Sequence, residues 1–144
     1  GLDLVSPQAL PAQIAETINE ATKRQVYSLF SGQQAERRFI PFVAVHEFEA
    51  LLFSDARTLA AQLGIDESTV TSVISESGSP EAINNSPQTA PSKRLDSWSA
   101  NGKFLKTTMG IKIAQAIGIE KIRKKCHLFD GWLTRFEEIQ RGVQ

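Results

Sequence analysis

Phe39-Ile40-Pro41-Phe42-Val43-Ala44-Val45 runs without a break into His46-Glu47-Phe48-Glu49-Ala50-Leu51-Leu52-Phe53-Ser54-Asp55, and the reading of this join decides the fold. The first seven residues are apolar, β-branched and aromatic, the composition of a short buried strand, with Pro41 suited to an edge or a strand's beginning. α/β folds set their chemistry at the ends of buried strands, and this one would end against a histidine and two carboxylates. Glu47 and Glu49 are two apart, so on a strand end both point to one side, where they can share a divalent cation. If a helix has already begun at Glu47, about 100° per residue separates them by roughly 200°. The ordinary alternatives are a solvated first helical turn for the acids and a capping or core role for His46. For the run itself, the alternative is a buried helical segment, which periodicity alone does not separate from a strand.

Around this join the sequence reads as helices. Leu10, Ile14, Ile18, Ala21, Leu29 and Phe30 recur at helical spacing from Pro7 to about Phe30, with Gly32 as a stop. Beyond the join, Ala50 to Phe53 reads as a first helical turn, and Ser54 or Asp55 caps a helix over Ala56–Leu63 that Gly64 closes. Asp66 heads Glu67–Ser77, and Ser79-Pro80-Glu81 opens a short turn. Asn84 to Thr89 is loop, and Thr89 caps a helix to Trp98. Thr107 or Thr108 begins a helix to Ile117 that Gly118 ends, and Glu120–Cys126 and Phe129–Gln140 follow. Trp98, Trp132 and Phe136 read as core anchors. The expected divisions are a helix and connection (1–37), the strand with its acidic motif (38–55) and a helical part (56–144). A lone strand leaves backbone donors and acceptors unpaired. It therefore needs strands from outside this stretch or a second copy of the chain, which makes a homo-oligomer through the orphan strand one expectation.

The chain has 144 residues with 16 basic and 16 acidic side chains, so any phosphate binding must come from local clusters. One cysteine, Cys126, excludes an internal disulfide and fits a reducing cytoplasm. No run approaches the ~20 apolar residues of a membrane helix, and no P-loop, Rossmann glycine pattern or nucleophile elbow is present. Cys126 and His127 are adjacent and diverge, which argues against a zinc site.

Two further groups carry chemistry. In Asn84-Asn85-Ser86-Pro87-Gln88-Thr89-Ala90-Pro91-Ser92-Lys93-Arg94 a polar loop feeds a helix whose first amides attract anions. Thr89, Ser92, Lys93 and Arg94 are the phosphate-binding candidates. Cations there oppose the helix dipole unless an anion or a carboxylate offsets them; an ordinary capped turn with solvated cations is the alternative. Lys103, Lys106, Lys112, Lys121, Arg123, Lys124 and Lys125 form a basic region that either tracks a phosphate backbone or is a solvated face.

Arg38-Phe-Ile-Pro-Phe leading into His46–Asp55, then Ser79–Leu95, Ile117–Cys126 and Phe129-Asp-Gly-Trp-Leu133 together resemble a bacterial family of unknown function regarded as Toprim-like. Glu47-Phe-Glu49 is more loosely similar to the Glu-x-Glu segment of OLD-type Toprim nucleases. The resemblance implies an α/β fold, mostly α with a small β component, and a metal-dependent phosphodiester hydrolysis site. In it Glu47 and Glu49 would hold magnesium or manganese, Lys93 and Arg94 would contact phosphate, and Lys106 would stabilise the transition state. It further implies DNA as substrate, an ATPase subunit as partner, and a place in phage defence or mobile elements. The Toprim pattern's N-terminal glutamate strand and its Asp-x-Asp are missing. The chain, which opens at Gly1 without methionine, is therefore expected to be the C-terminal portion of such a protein, with an incomplete site and with the metal either supplied by the whole protein or absent from this part. The competing expectation is a non-catalytic helical module that binds a partner protein or a nucleic-acid backbone.

Overall fold

The computed structural model describes residues 11–29, 47–83 and 86–142. The helices are α1 (Pro11–Leu29), α2 (Ala56–Leu63), α3 (Glu67–Ser77), α4 (Pro91–Trp98), α5 (Ile111–Ile117), α6 (Ile119–Lys125) and α7 (His127–Gly142), with 3-10 turns at Phe48–Ser54 and Pro80–Ala82 and a π-turn at Lys106–Gly110. The chain divides into two compact units, residues 1–45 with 128–144, and residues 46–127.

The expected α/β fold with one core strand is corrected by these elements: every one of them among the described residues is helical, so the fold is mostly α. The Phe39–Val45 segment lies outside the described residues, as does His46. The acidic motif is placed from Glu47 onward, where the chain enters a 3-10 turn. Glu47 is extended, and the Ala50 amide donates to its carbonyl at 3.0 Å, which starts the Phe48–Ser54 turn. A hydrogen bond three residues apart thus satisfies the backbone at this join locally.

In the 46–127 unit this short turn is the hub. It packs against α2, α4, α5, α6 and both other turns. Ala50, Leu52 and Phe53 are buried, and Leu59, Val70, Ile83, Leu95, Ile113 and Cys126 complete the core around them. Phe53 meets Trp98 with ring centroids 5.8 Å apart at 50°, a tilted aromatic contact that locks α4 onto the turn. Complete burial of side chains such as Phe53 or Leu59 stabilises by about 1.5–3 kcal/mol each.

Local caps mark several helix boundaries. Asp55 accepts from the Thr58 amide at 3.1 Å and starts α2; Gly64, at φ 69°, closes it in the left-handed conformation. Asp66 precedes α3 and Ser79 precedes the 80–82 turn, but neither side chain makes a cap bond. Gly118 separates α5 from α6 at φ 86° and ψ 146°, a region essentially confined to glycine.

In the other unit, α1 carries a Glu20–Lys23 ion pair, which holds the Glu20 carboxyl below its usual range. Thr17 and Thr22 donate back to the carbonyls of Gln13 and Ile18. Ala15 is buried, whereas Leu29, expected in the apolar stripe, is exposed. Along α7, Phe129, Trp132 and Phe136 form a ladder with centroid spacings of 6.3 and 6.0 Å. Phe136 is 48 % exposed, so the expectation that it anchors a core is also corrected. No helix among the described residues is long and apolar enough to cross a membrane.

Candidate functional site

Three sequence-distant segments meet at the start of the Phe48–Ser54 turn. Glu47 sends its carboxylate to α4, where Oε2 accepts the Ser92 amide at 2.7 Å and Oε1 accepts the Ser92 hydroxyl at 2.8 Å. α4 has Ala90 at its N-cap position and Pro91 next, so it has no capping side chain of its own. Glu47 supplies the missing cap from 45 residues away. It is also the carboxylate that offsets Lys93 and Arg94 in the first turn of this helix.

Glu49 turns elsewhere. Its side chain is 9 % exposed, and Oε1 is ion-paired with the ammonium of Lys106, whose own side chain is 68 % exposed. No other hydrogen-bond donor reaches Oε1 among the described residues. The bond and charge of Glu49 raise the Lys106 pKa, burial opposing weakly and Glu47 and Asp96 adding to the rise. Lys106 is thus a cation at neutral pH, held at the surface by a carboxylate beneath it. Asp96 stands one turn after Ser92 on α4 and accepts the Phe104 amide at 2.8 Å, which fixes the loop leading to Lys106.

The phosphate-binding candidates are only partly gathered here. Ser92 bonds Glu47. Arg94 donates through Nε to the Thr89 carbonyl at 2.9 Å, and the Thr89 hydroxyl meets that of Ser86, so both close the loop before α4. Lys93 is exposed, with no polar partner among the described residues. Because Glu47 already accepts the first free amide of α4, it occupies the place an anion would take there.

The two carboxylates therefore bond different partners. Residues of a 3-10 turn rotate by about 120° each, and Glu47 stands just outside the turn in extended backbone. Magnesium, implied by the resemblance, takes six oxygen ligands in near-octahedral geometry, usually one or two carboxylates with several waters. Here both oxygens of Glu47 accept from Ser92 and Glu49 faces an ammonium; no group of three metal-ligating side chains occurs among the described residues. Both carboxylates are thus engaged by protein donors in this arrangement.

Two polar contacts escaped the sequence reading. Asp55, besides capping α2, accepts Lys121 Nζ at 2.8 Å. Burial alone would raise its pKa, but the bonds from Lys121 and Thr58 outweigh it and bring the carboxyl down to about 2. Cys126 is buried with Sγ 3.3 Å from the Ser54 hydroxyl. Burial pushes this thiol up to about 11, the Ser54 bond opposing and the charge of Glu81 adding. The only signal for the Asp55–Lys121 pair was compositional, a cap-type acid and a lysine-rich helix; their separation of 66 residues hides it.

Residues 2–137 match the model of a family described as Domain of unknown function (DUF4276), and the chain belongs to that family. No curated protein and no solved structure matches it.

Proposed function

We propose that this member of the family is a helical module that docks on the phosphate backbone of a nucleic acid, as the C-terminal part of a nuclease-related protein. One observation carries the reading: a nearly buried carboxylate, Glu49, fixes the exposed Lys106 ammonium beside the Glu47–Ser92 clamp. A lysine held from below loses less freedom on meeting a phosphate than a free one. Lys93 follows Ser92 directly, and from Lys93 to Lys125 the chain carries nine basic and two acidic side chains. That local excess is what a phosphate backbone requires of a molecule with no net charge. The Toprim-like relationship enters as the origin suggested by the sequence resemblance and not as a mechanism. In this chain Glu47 and Glu49 position Ser92 and Lys106, and no cleavage step is assigned to them.

The test is a salt titration of DNA binding followed by fluorescence anisotropy. Each lost phosphate contact flattens the dependence of log affinity on log salt by about 0.9 for duplex DNA. Lys106→Ala and Lys93→Ala should each produce such a change. Glu49→Gln should weaken binding although it removes a negative charge, because it frees Lys106. Wild-type slopes in both lysine variants would overturn the reading. Nicking of supercoiled DNA in Mn²⁺ that disappears in Glu47→Gln and Glu49→Gln, with folding intact, would instead assign these acids to catalysis.

A further inference from the structure

The basic residues of α6 are not used by the Lys106 cluster. Three of the helix's four basic residues line a separate cleft of about 430 Å³, whose walls are Ser54, Asp55, Ala56 and Arg57 at the start of α2, Glu67 at the start of α3, and Lys121, Lys124 and Lys125 of α6. This size lies within the range of roughly 300–1,000 Å³ typical of small-molecule sites.

Asp55 is already engaged by three donors: Oδ1 takes the Thr58 amide, and Oδ2 takes the Thr58 hydroxyl and Lys121 Nζ, both at 2.8 Å. It neutralises Lys121 and leaves the other cations of the cleft alone. Arg57, Lys124 and Lys125 are exposed and have no polar partner among the described residues, and Glu67 is the one remaining carboxylate in the lining. Three cations against one acid leave a local charge of two positives around a concave space, an arrangement that repels itself until an anion enters. The lining holds no aromatic side chain on which a base could stack.

We infer that this cleft binds a terminal phosphate monoester. The inference rests on the backbone-binding reading for its biological sense, though not for its chemistry. A monoester carries close to two negative charges at neutral pH and matches the unbalanced charge of the cleft. An internal phosphodiester carries one and would leave a cation unpaired. Two sources present this group: the 5′-phosphorylated end of a nucleic-acid strand, and a free phosphorylated small molecule.

The experiment compares two 3′-labelled single-stranded DNA oligonucleotides of one sequence, one with a 5′-phosphate and one with a 5′-hydroxyl, by anisotropy on the full chain. The phosphorylated strand should bind about fivefold more tightly, the worth of a few exposed ion pairs. The advantage should shrink as the pH falls below about 6, where the monoester gains a proton. Arg57→Gln and the double change Lys124→Gln/Lys125→Gln should bring the ratio of the two affinities to one. Lys106→Ala should weaken both strands equally and keep the ratio, so failure at the Lys106 cluster is read separately from failure here. Adenosine 5′-monophosphate competing as well as the phosphorylated strand identifies the small-molecule source; competition only at far higher concentration identifies the strand end. Equal affinity of the wild type for both strands with no competition by the monophosphate would overturn the inference, as would a phosphate advantage that survives the glutamine variants.

Discussion

Replacing Lys106 with methionine keeps the aliphatic stem and removes only the ammonium, so it isolates what the ion pair does for Glu49. The Glu49 side chain is 9 % exposed, and its Oε1 has no other donor among the described residues. Breaking a fully buried pair by removing one partner costs about 3–5 kcal/mol. Lys106 is 68 % exposed, so water already reaches the rim of this pair and would partly replace the ammonium. The expected loss is therefore about 2 kcal/mol, near the middle of the range for a stranded buried acceptor. The reverse change, Glu49→Gln, leaves an exposed ammonium that water solvates readily, and should cost about 0.5 kcal/mol. At about 3 °C per kcal/mol for a chain of this size, thermal unfolding followed by circular dichroism should show Tm drops of roughly 6 °C and 1–2 °C. The double variant should recover most of the difference, because no stranded carboxylate remains. The Lys106 pKa is raised in the fold, so this stabilisation is complete at neutral pH and fades only as the pH climbs above the ordinary lysine range. A larger loss for Glu49→Gln than for Lys106→Met would refute the assignment of Glu49 as the buried partner.

Three further outcomes follow from the same geometry. Glu47→Ala and Ser92→Ala should each destabilise by about 1–2 kcal/mol, as loss of a helix cap does, and a double-mutant cycle should find the two effects strongly non-additive; simple addition would mean the clamp is idle. Asp55 titrates near 2 in the fold against 3.8 for the free group, so its stabilisation is complete above about pH 4 and disappears as the pH falls through 2. Asp55→Asn should accordingly lose about 1 kcal/mol at pH 7 and flatten the acid limb of a stability–pH curve, and an unchanged limb would count against the pair. Gly118→Ala meets nothing within 4 Å but must hold φ near 86°, so urea unfolding should report a loss of about 1–3 kcal/mol from backbone strain alone.

The parts of the fold that were legible in the sequence are those fixed by neighbours. Asp55 before Ala56–Leu63, and Gly64, Gly78 and Gly118 after their helices, act within one turn, and the residues themselves announce it. The Phe48–Ser54 turn was not legible as the hub, because an apolar run buried on several sides has no period to read. A spacing of two that would unite Glu47 and Glu49 on a strand divides them where the chain turns at three residues per turn. The residues of the candidate site were identifiable by type, but their partnerships were not. A loop feeding α4 with Lys93 and Arg94 showed that something negative was needed there, and nothing local showed that Glu47 would provide it. Arg94 was read as a phosphate ligand, yet its guanidinium closes the Thr89 loop, a contact that requires knowing how that loop bends.

The attachments along the 47–55 segment run nearly in chain order: Glu47 to Ser92, Glu49 to Lys106, then Ser54 and Asp55 to Cys126 and Lys121. Four residues within this stretch of nine thus work like the teeth of a key, each cut matched to a tumbler farther along the polypeptide. Substitutions at one tooth spoil one tumbler, but adding or deleting a single residue between Glu47 and Asp55 would shift the whole series against its lock. Length in this segment is therefore under a tighter constraint than identity.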